Sequence, residues 1–554
     1  MKRLWIVATL LVLLCEPAHA RILHAKDFGA VGNGKQDDGP AIQRACNALS
    51  SAEPGSELVF EPSHTYRVTT AADTWLLRLD KRKDLTINGG NSLFLLAPAT
   101  RFLHLTNCVR IQIRKLKVDF DPLPFAEGVV TNFSAQQGWI EAQLSPEFPP
   151  IDPGGPTGDR EQAYFGMVYP DNGTAPVSAH LFIRDVQNAG DGGATASRQV
   201  RVYASQPFTA YSSLKKGASR ICLPVRGIAH KMNGHGASPV FVVEDDTDIS
   251  FDHIELWSGP LFGVNVARCA GNCLFQSFNI RPRPGTTRFT STWRDGFHVK
   301  GCRAKLTWNN CILDGMNDDA FNIATHSSRV NSVSRIGKVT TLQVHQNFPL
   351  GYVPICTGDK LGIFSATAGK LLPIVTATAV KSLAPLPDDG PDKPAPSLQI
   401  TLNADVAVSS GDTLWNASAG NPNTVLKHCT INNSCRFQSG VTLFDCTVHA
   451  LIWLYGDATE GPLPQNSVIS GCKLSCGRGN ATIAVAITSL MPGPDGSPRV
   501  PTEPVISGFR MQDCEVTGDV DIRYCREPQI SRTKVSAGTL RFVGCSQTKP
   551  PSHN

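Results

Sequence analysis

Asp295, Asp318 and Asp319 are the residues of this chain best placed by spacing to do chemistry. They lie in Ser291-Thr292-Trp293-Arg294-Asp295-Gly296-Phe297-His298 and Gly315-Met316-Asn317-Asp318-Asp319-Ala320-Phe321-Asn322-Ile323. Asp295 and Asp318 are 23 residues apart. That is about one coil of a parallel β-helix, in which residues one coil apart stack on rungs roughly 4.8 Å from each other. The spacing predicts three carboxylates on one face. Charges that close cannot all ionise, so at least one carboxyl should keep its proton at higher pH than usual. A protonated carboxyl beside ionised partners is what hydrolysis of a glycosidic bond requires. The competing reading is that such aspartates serve the turns between strands, bonding to backbone amides.

The elements that would position them are short strands. Runs of alternating apolar residues recur at 103–113, 248–256, 272–280, 304–313, 426–431, 441–448, 468–474, 511–516 and 529–535, several opening on Asn-Cys or Asp-Cys. In each, every second side chain points to one face. Repetition at roughly 20–25 residues predicts a solenoid. Helix-period patterns are scarce, apart from Gly39 to Leu49, where Ile42, Ala45, Cys46 and Leu49 share a face. The repeat is interrupted at 127–235 and at 327–425, where runs such as Trp139–Leu144, Gln199–Tyr203, Val339–Val344 and Leu398–Leu402 read as small antiparallel β-modules. The expected organisation is a leader (1–20), N-terminal coils (21–126), the first module, coils carrying the aspartates (236–326), the second module, C-terminal coils (426–546) and a polar tail (547–554). The Pro-rich stretch from Leu383 to Pro396 reads as a surface loop.

Lys2 and Arg3, the apolar run Leu4 to Leu14 and Ala18-His19-Ala20 have the pattern of a secretory leader, with Arg21 as first mature residue. The apolar run is shorter than the roughly 20 residues a membrane span needs. The formal net charge of +5 falls to +4 without the leader and is spread over the chain. Basic blocks with interleaved aromatics are missing, so nucleic acid is not an implied partner. Export permits disulfides, yet Cys108, Cys273, Cys311, Cys429 and Cys446 fall in strand-like runs. We expect buried thiols with a few bridges. Cys269–Cys273 and Cys472–Cys476 lack the second Cys/His pair of a zinc site, and no metal or other cofactor is expected.

The opening of the mature chain, from Asp27-Phe28-Gly29-Ala30-Val31-Gly32-Asn33-Gly34 to Asp37-Asp38-Gly39-Pro40-Ala41-Ile42-Gln43, resembles the first segment of the pectate-lyase-like β-helix superfamily. That resemblance implies an all-β, right-handed parallel β-helix, and says little about chemistry. Val118-Asp119-Phe120-Asp121-Pro122, the Ser291–His298 run followed by Cys302, and Asn310-Cys311 followed by Asp318–Ile323 resemble glycoside hydrolase family 110, the exo-acting α-galactosidases. The family pattern usually continues after the Asn with a hydrophobic residue and His-Gly; here Asn322-Ile323 runs into Ala324-Thr325-His326-Ser327.

The resemblance implies Asp318 as general acid, with Asp295 and Asp319 activating water on the opposite face. That division gives inversion, for which acid and base stand about 6.5–9.5 Å apart. The implied partner is a glycan. His298 would bond a sugar hydroxyl or be a structural histidine. Asn322 would touch substrate or stack in an asparagine ladder. Trp293 would be a platform for a sugar ring or part of the core, and Arg268 a sugar contact from the preceding coil. Asp119 and Asp121 read as structural. Two alternatives stay open: a β-helix enzyme of polygalacturonase or lyase type, and a non-catalytic glycan-binding envelope protein. Against the first, Gly234-His235-Gly236 lies upstream of the aspartates and no Arg-Ile-Lys follows them.

Overall fold

A computed structural model describes residues 19–69, 75–98, 100–154, 165–169, 181–189, 197–225, 238–346, 353–383, 397–402, 404–457, 460–461, 463–477 and 482–546. The leader through residue 18, the Gly234-His235-Gly236 run, the Pro-rich stretch beyond Leu383 and the tail from residue 547 lie outside these residues. Among the described residues no helix is long and apolar enough to cross a membrane.

The chain winds into a right-handed parallel β-helix, the hand that parallel crossovers take. One of its sheets stacks Arg101–Thr106, Phe241–Glu244, Val264–Ala267, Phe297–Lys300, Phe321–Ala324, Cys435–Phe437 and Ile452–Asp457, all parallel and in register. Alternation turns Phe241, Phe297, Phe321 and Phe437 inward, where Phe297 and Phe321 stack with centroids 5.4 Å apart. The same alternation turns Asn265, His298, Asn322, Arg436 and Trp453 outward in one column. The helix Gly39–Ser50 caps the first coils with Ile42, Ala45, Cys46 and Leu49 buried.

The recurring Asn/Asp-Cys pair has a structural meaning. Asn107, Asn310, His428, Asp445 and Asp513 all have φ between 50° and 56°, and each precedes a buried cysteine. Asn and Asp tolerate this left-handed turn better than most residues. The turn swings the next residue into the core, where a small thiol fits. Cys311, Cys429 and Cys446 each lie against a carbonyl oxygen of the coil below, Phe275 O, Trp308 O and Leu426 O. The neighbouring thiol Cys311, together with burial, pushes Cys429 up to about 12. The few expected bridges are absent among the described residues: all sixteen cysteines from Cys46 to Cys545 are unbridged. Several of their sulfurs, among them Cys108, Cys269, Cys302 and Cys514, lie against backbone carbonyls.

Two modules interrupt the helix. Phe125–Ser134, Trp139–Leu144, Phe165–Tyr169, Leu181–Asn188, Gln199–Ala204 and Arg220–Pro224 close into an antiparallel barrel. Its core is Phe125, Phe148, Phe165, Tyr169, Val202 and their neighbours, and it also takes in Phe289 and Trp293 from the turn before Asp295. In the second module Ser327–Ile336, Val339–Gln346, Ser397–Leu402, Val375–Leu383, Lys360–Ser365 and Thr413–Asn416 pair around a ring. The first barrel leaves the solenoid two coils before the aspartates, and the second leaves it directly after Phe321–Ala324.

Candidate active site

Asp295 and Asp319 stand two residues before the paired strands Phe297–Lys300 and Phe321–Ala324. Because Phe297 pairs with Phe321, Asp319 stacks directly on Asp295. This corrects the sequence reading, in which Asp318 took that place; Asp318 is one residue aside, at the cleft. Gly296 allows the close approach, since a Cβ there would meet Ala320 O at 2.8 Å. One carboxylate oxygen from each of the three aspartates lies within 4.8 Å of the other two.

Burial, then the charges of Asp318 and Asp319, push Asp295 well above the usual carboxylate range. Burial and the charge of Asp318 push Asp319 up to about 7, against the pull of the Ser434 hydroxyl, which donates to Asp319 Oδ1 at 2.6 Å. The cluster therefore keeps at least one proton at neutral pH. Arg294 Nε stands 3.4 Å from Asp318 Oδ2. The same three oxygens are the group of described residues near enough to share a cation, and carboxylates suit a hard ion. A cation there would have to displace the protons.

The first barrel holds both aspartate-bearing turns. Glu127 is buried and accepts from Phe289 N at 3.2 Å and Thr290 N at 2.7 Å. Burial pushes its carboxyl up to about 7. Tyr169 donates its hydroxyl to Asn317 Oδ1, next to Asp318. Arg294 lays its guanidinium 5.3 Å from the Phe165 ring. From the other side, Asn433 Nδ2 donates to Met316 O at 2.6 Å.

The remaining predicted residues divide. His298 faces outward beside the aspartates, its ring stacked 4.3 Å from Phe262 and its Nδ1 3.1 Å from Asn265 Oδ1. Burial, then the cations of Lys300 and its neighbours, hold it well below the usual imidazole range, so the ring is neutral. Three residues apart on one strand, Asp295 and His298 would face opposite ways; Asp295 instead precedes the strand that carries His298. Asn322 stacks over His298 and accepts from Lys300 Nζ at 2.9 Å. Trp293 is not a platform: it is 2% exposed and stacks on Phe165 inside the barrel core. The barrel claims its apolar area before any sugar can. Arg268 is not at the cleft. It lies just past the last residue of its strand, in a left-handed turn at φ 57°. Its guanidinium is held bidentately by Asp245 at 2.8 Å.

Sequence reasoning passed over Lys300, Arg436, Trp453, Tyr455 and Glu460. The first was within reach, because alternation from His298 puts Lys300 on the same face. Trp453 and Tyr455 stack 4.2 Å apart, with Arg436 within 6 Å of both rings. Glu460 follows no strand pattern and joins the face only through folding.

Fold and site together define a parallel β-helix protein with two inserted β-modules and a cluster of three carboxylates beside the first of them. No protein-family model matches the chain. A curated relative named α-1,3-galactosidase B, from Bacteroides thetaiotaomicron, is 24% identical over 351 residues, 59% of this chain and 54% of its own length. The α-1,3-galactosidase A of Shewanella woodyi is 23% identical over 348 residues, 58% of this chain and 53% of its own. The chain thus spans about half the length of the curated relatives it matches. Among solved structures, an exopolygalacturonase from Thermotoga maritima aligns with 96% of this chain and 92% of its own, at 10% identity and a TM-score of 0.38. The relatives' names agree with the family 110 resemblance read from the motifs, at modest identity.

Proposed function

We propose that the protein is an exported exo-glycoside hydrolase that releases terminal α-linked galactose from glycans. The observation that carries this reading is the clustering of Asp295, Asp318 and Asp319, with one oxygen of each within 4.8 Å, in a cleft that retains a proton at neutral pH. The names of the curated relatives support galactose as the sugar. Asp318 donates to the leaving oxygen, as the family resemblance implies. With a proton shared among three carboxyls, the ionised members receive one from the attacking water. His298 and Asn322 bond hydroxyls of the sugar, and the exposed edges of Trp453 and Tyr455 offer it an apolar surface.

Inversion rests on the resemblance alone. The oxygens stand closer than the 6.5–9.5 Å that usually leaves room for water, and nearer the roughly 5 Å of retaining enzymes. Proton NMR of the first-formed sugar from an aryl α-galactoside decides it: inversion gives the β-anomer. Asp295→Asn, Asp318→Asn and Asp319→Asn should each stay folded and lower kcat by about 10²–10⁴-fold, the usual worth of acid–base groups. Native protein that hydrolyses neither aryl α-galactosides nor oligosaccharides ending in α-galactose would overturn the reading.

A further inference from the structure

Three cations line the cleft, and each faces a carboxylate. Lys300, buried at the end of its strand, places Nζ 2.9 Å from Glu460 Oε2. Arg436, one rung beyond Asn322, reaches Asp457 Oδ2 at 3.1 Å and Glu460 Oε1 at 3.8 Å. Arg294 faces Asp318. Glu460 is thus shared by two cations from different coils, and its charge is felt at Asp319. Burial opposes its ionisation, yet Lys300 and Arg436 bring it down to about 2, so it is charged at any working pH.

This bears on which sugars fit. Galactose and galacturonate differ at C6, a hydroxymethyl in one and a carboxylate in the other. A site selects the carboxylate by presenting a cation without a carboxylate of its own, because a desolvated anion must be paired. It selects the hydroxyl by presenting acceptors and rejecting a second anion. Here Glu460 neutralises Lys300 and, together with Asp457, Arg436, and offers an acceptor in their place.

We propose that Glu460 is a specificity-determining residue that masks Lys300 and Arg436 and so restricts the cleft to uncharged sugars. The proposal rests on the glycosidase reading and adds to it the substrate class and the residue that sets it. Removing the carboxylate should uncover Lys300 and admit a uronate.

The test compares galactose and galacturonate as ligands, by calorimetry and as inhibitors of aryl α-galactoside hydrolysis. Native protein should bind galacturonate at least tenfold more weakly than galactose. In Glu460→Gln, galacturonate should bind about 10–100-fold more tightly than in native protein, the worth of one charged hydrogen bond. Glu460→Asp, which keeps the charge, should keep the native preference. Glu460→Ala provides a second neutral variant should the glutamine variant fail to fold. Adding Lys300→Met to Glu460→Gln removes the uncovered cation and should abolish the gain. Unchanged galacturonate affinity in both folded neutral variants refutes the proposal, as does a gain that survives Lys300→Met. Native protein inactive on every α-galactoside would sink the glycosidase reading, while the binding comparison still judges the role of Glu460.

Discussion

Replacing Ser434 by alanine should move the acidic limb of the pH–activity profile to higher pH. Ser434 Oγ donates to Asp319 Oδ1 at 2.6 Å, and a hydrogen bond of this kind favours the charged carboxylate over the acid. Hydrogen bonds to charged groups contribute about 1.5–3 kcal/mol, and one pKa unit corresponds to about 1.4 kcal/mol. Loss of the hydroxyl should therefore raise the Asp319 titration, now at about 7, by roughly one to two units. Asp319, one of the carboxylates that take a proton from the attacking water, would ionise only at higher pH, so kcat/KM should reach its plateau about one unit or more further towards alkali. The alkaline limb, set by the acid Asp318, should move less. The assay is kcat/KM on an aryl α-galactoside from pH 5 to 10, for native and Ser434→Ala protein. An acidic limb that stays in place, or that moves towards acid, would refute the idea that Asp319 must ionise to activate the water.

Two further outcomes test the supports of the site. Tyr169→Phe removes the hydroxyl that holds Asn317 beside Asp318; it should lower kcat about 10–100-fold with KM changed less than threefold, since a misplacement of about 1 Å can cost that much, and equal changes in both constants would contradict a positioning role. Asp246 is fully buried, and burial pushes it up to about 7. A carboxyl raised in the folded state contributes stability that is complete below its unfolded value and is lost as pH rises through the folded one. Its share is at most about 4 kcal/mol, lost between roughly pH 4 and pH 7. Asp246→Asn should flatten the fall in melting temperature across that window, and an unaltered slope would contradict it.

The sequence by itself determined the solenoid, because its signal is local and repeated. Alternation sends Phe297 and Phe321 inward and His298 and Asn322 outward, and the Asn/Asp-Cys pairs at Asn107, Asn310, Asp445 and Asp513 mark left-handed corners with a thiol turned in. The aspartate cluster was legible for the same reason: residues one coil apart must stack. Register decided the detail, placing Asp319 rather than Asp318 over Asp295. What only the tertiary structure decided came from segments that do not follow the repeat. The barrel inserted between coils buries Trp293, which spacing alone left free to meet a sugar. Arg268 is taken up by Glu244 and Asp245 of the preceding coil, a pairing that its place in the sequence did not announce. Glu460 reaches Lys300 across 160 residues of chain. Local pattern fixes which face a side chain takes; which distant groups meet there depends on how long excursions return to the coil, and that is set by packing across the whole fold.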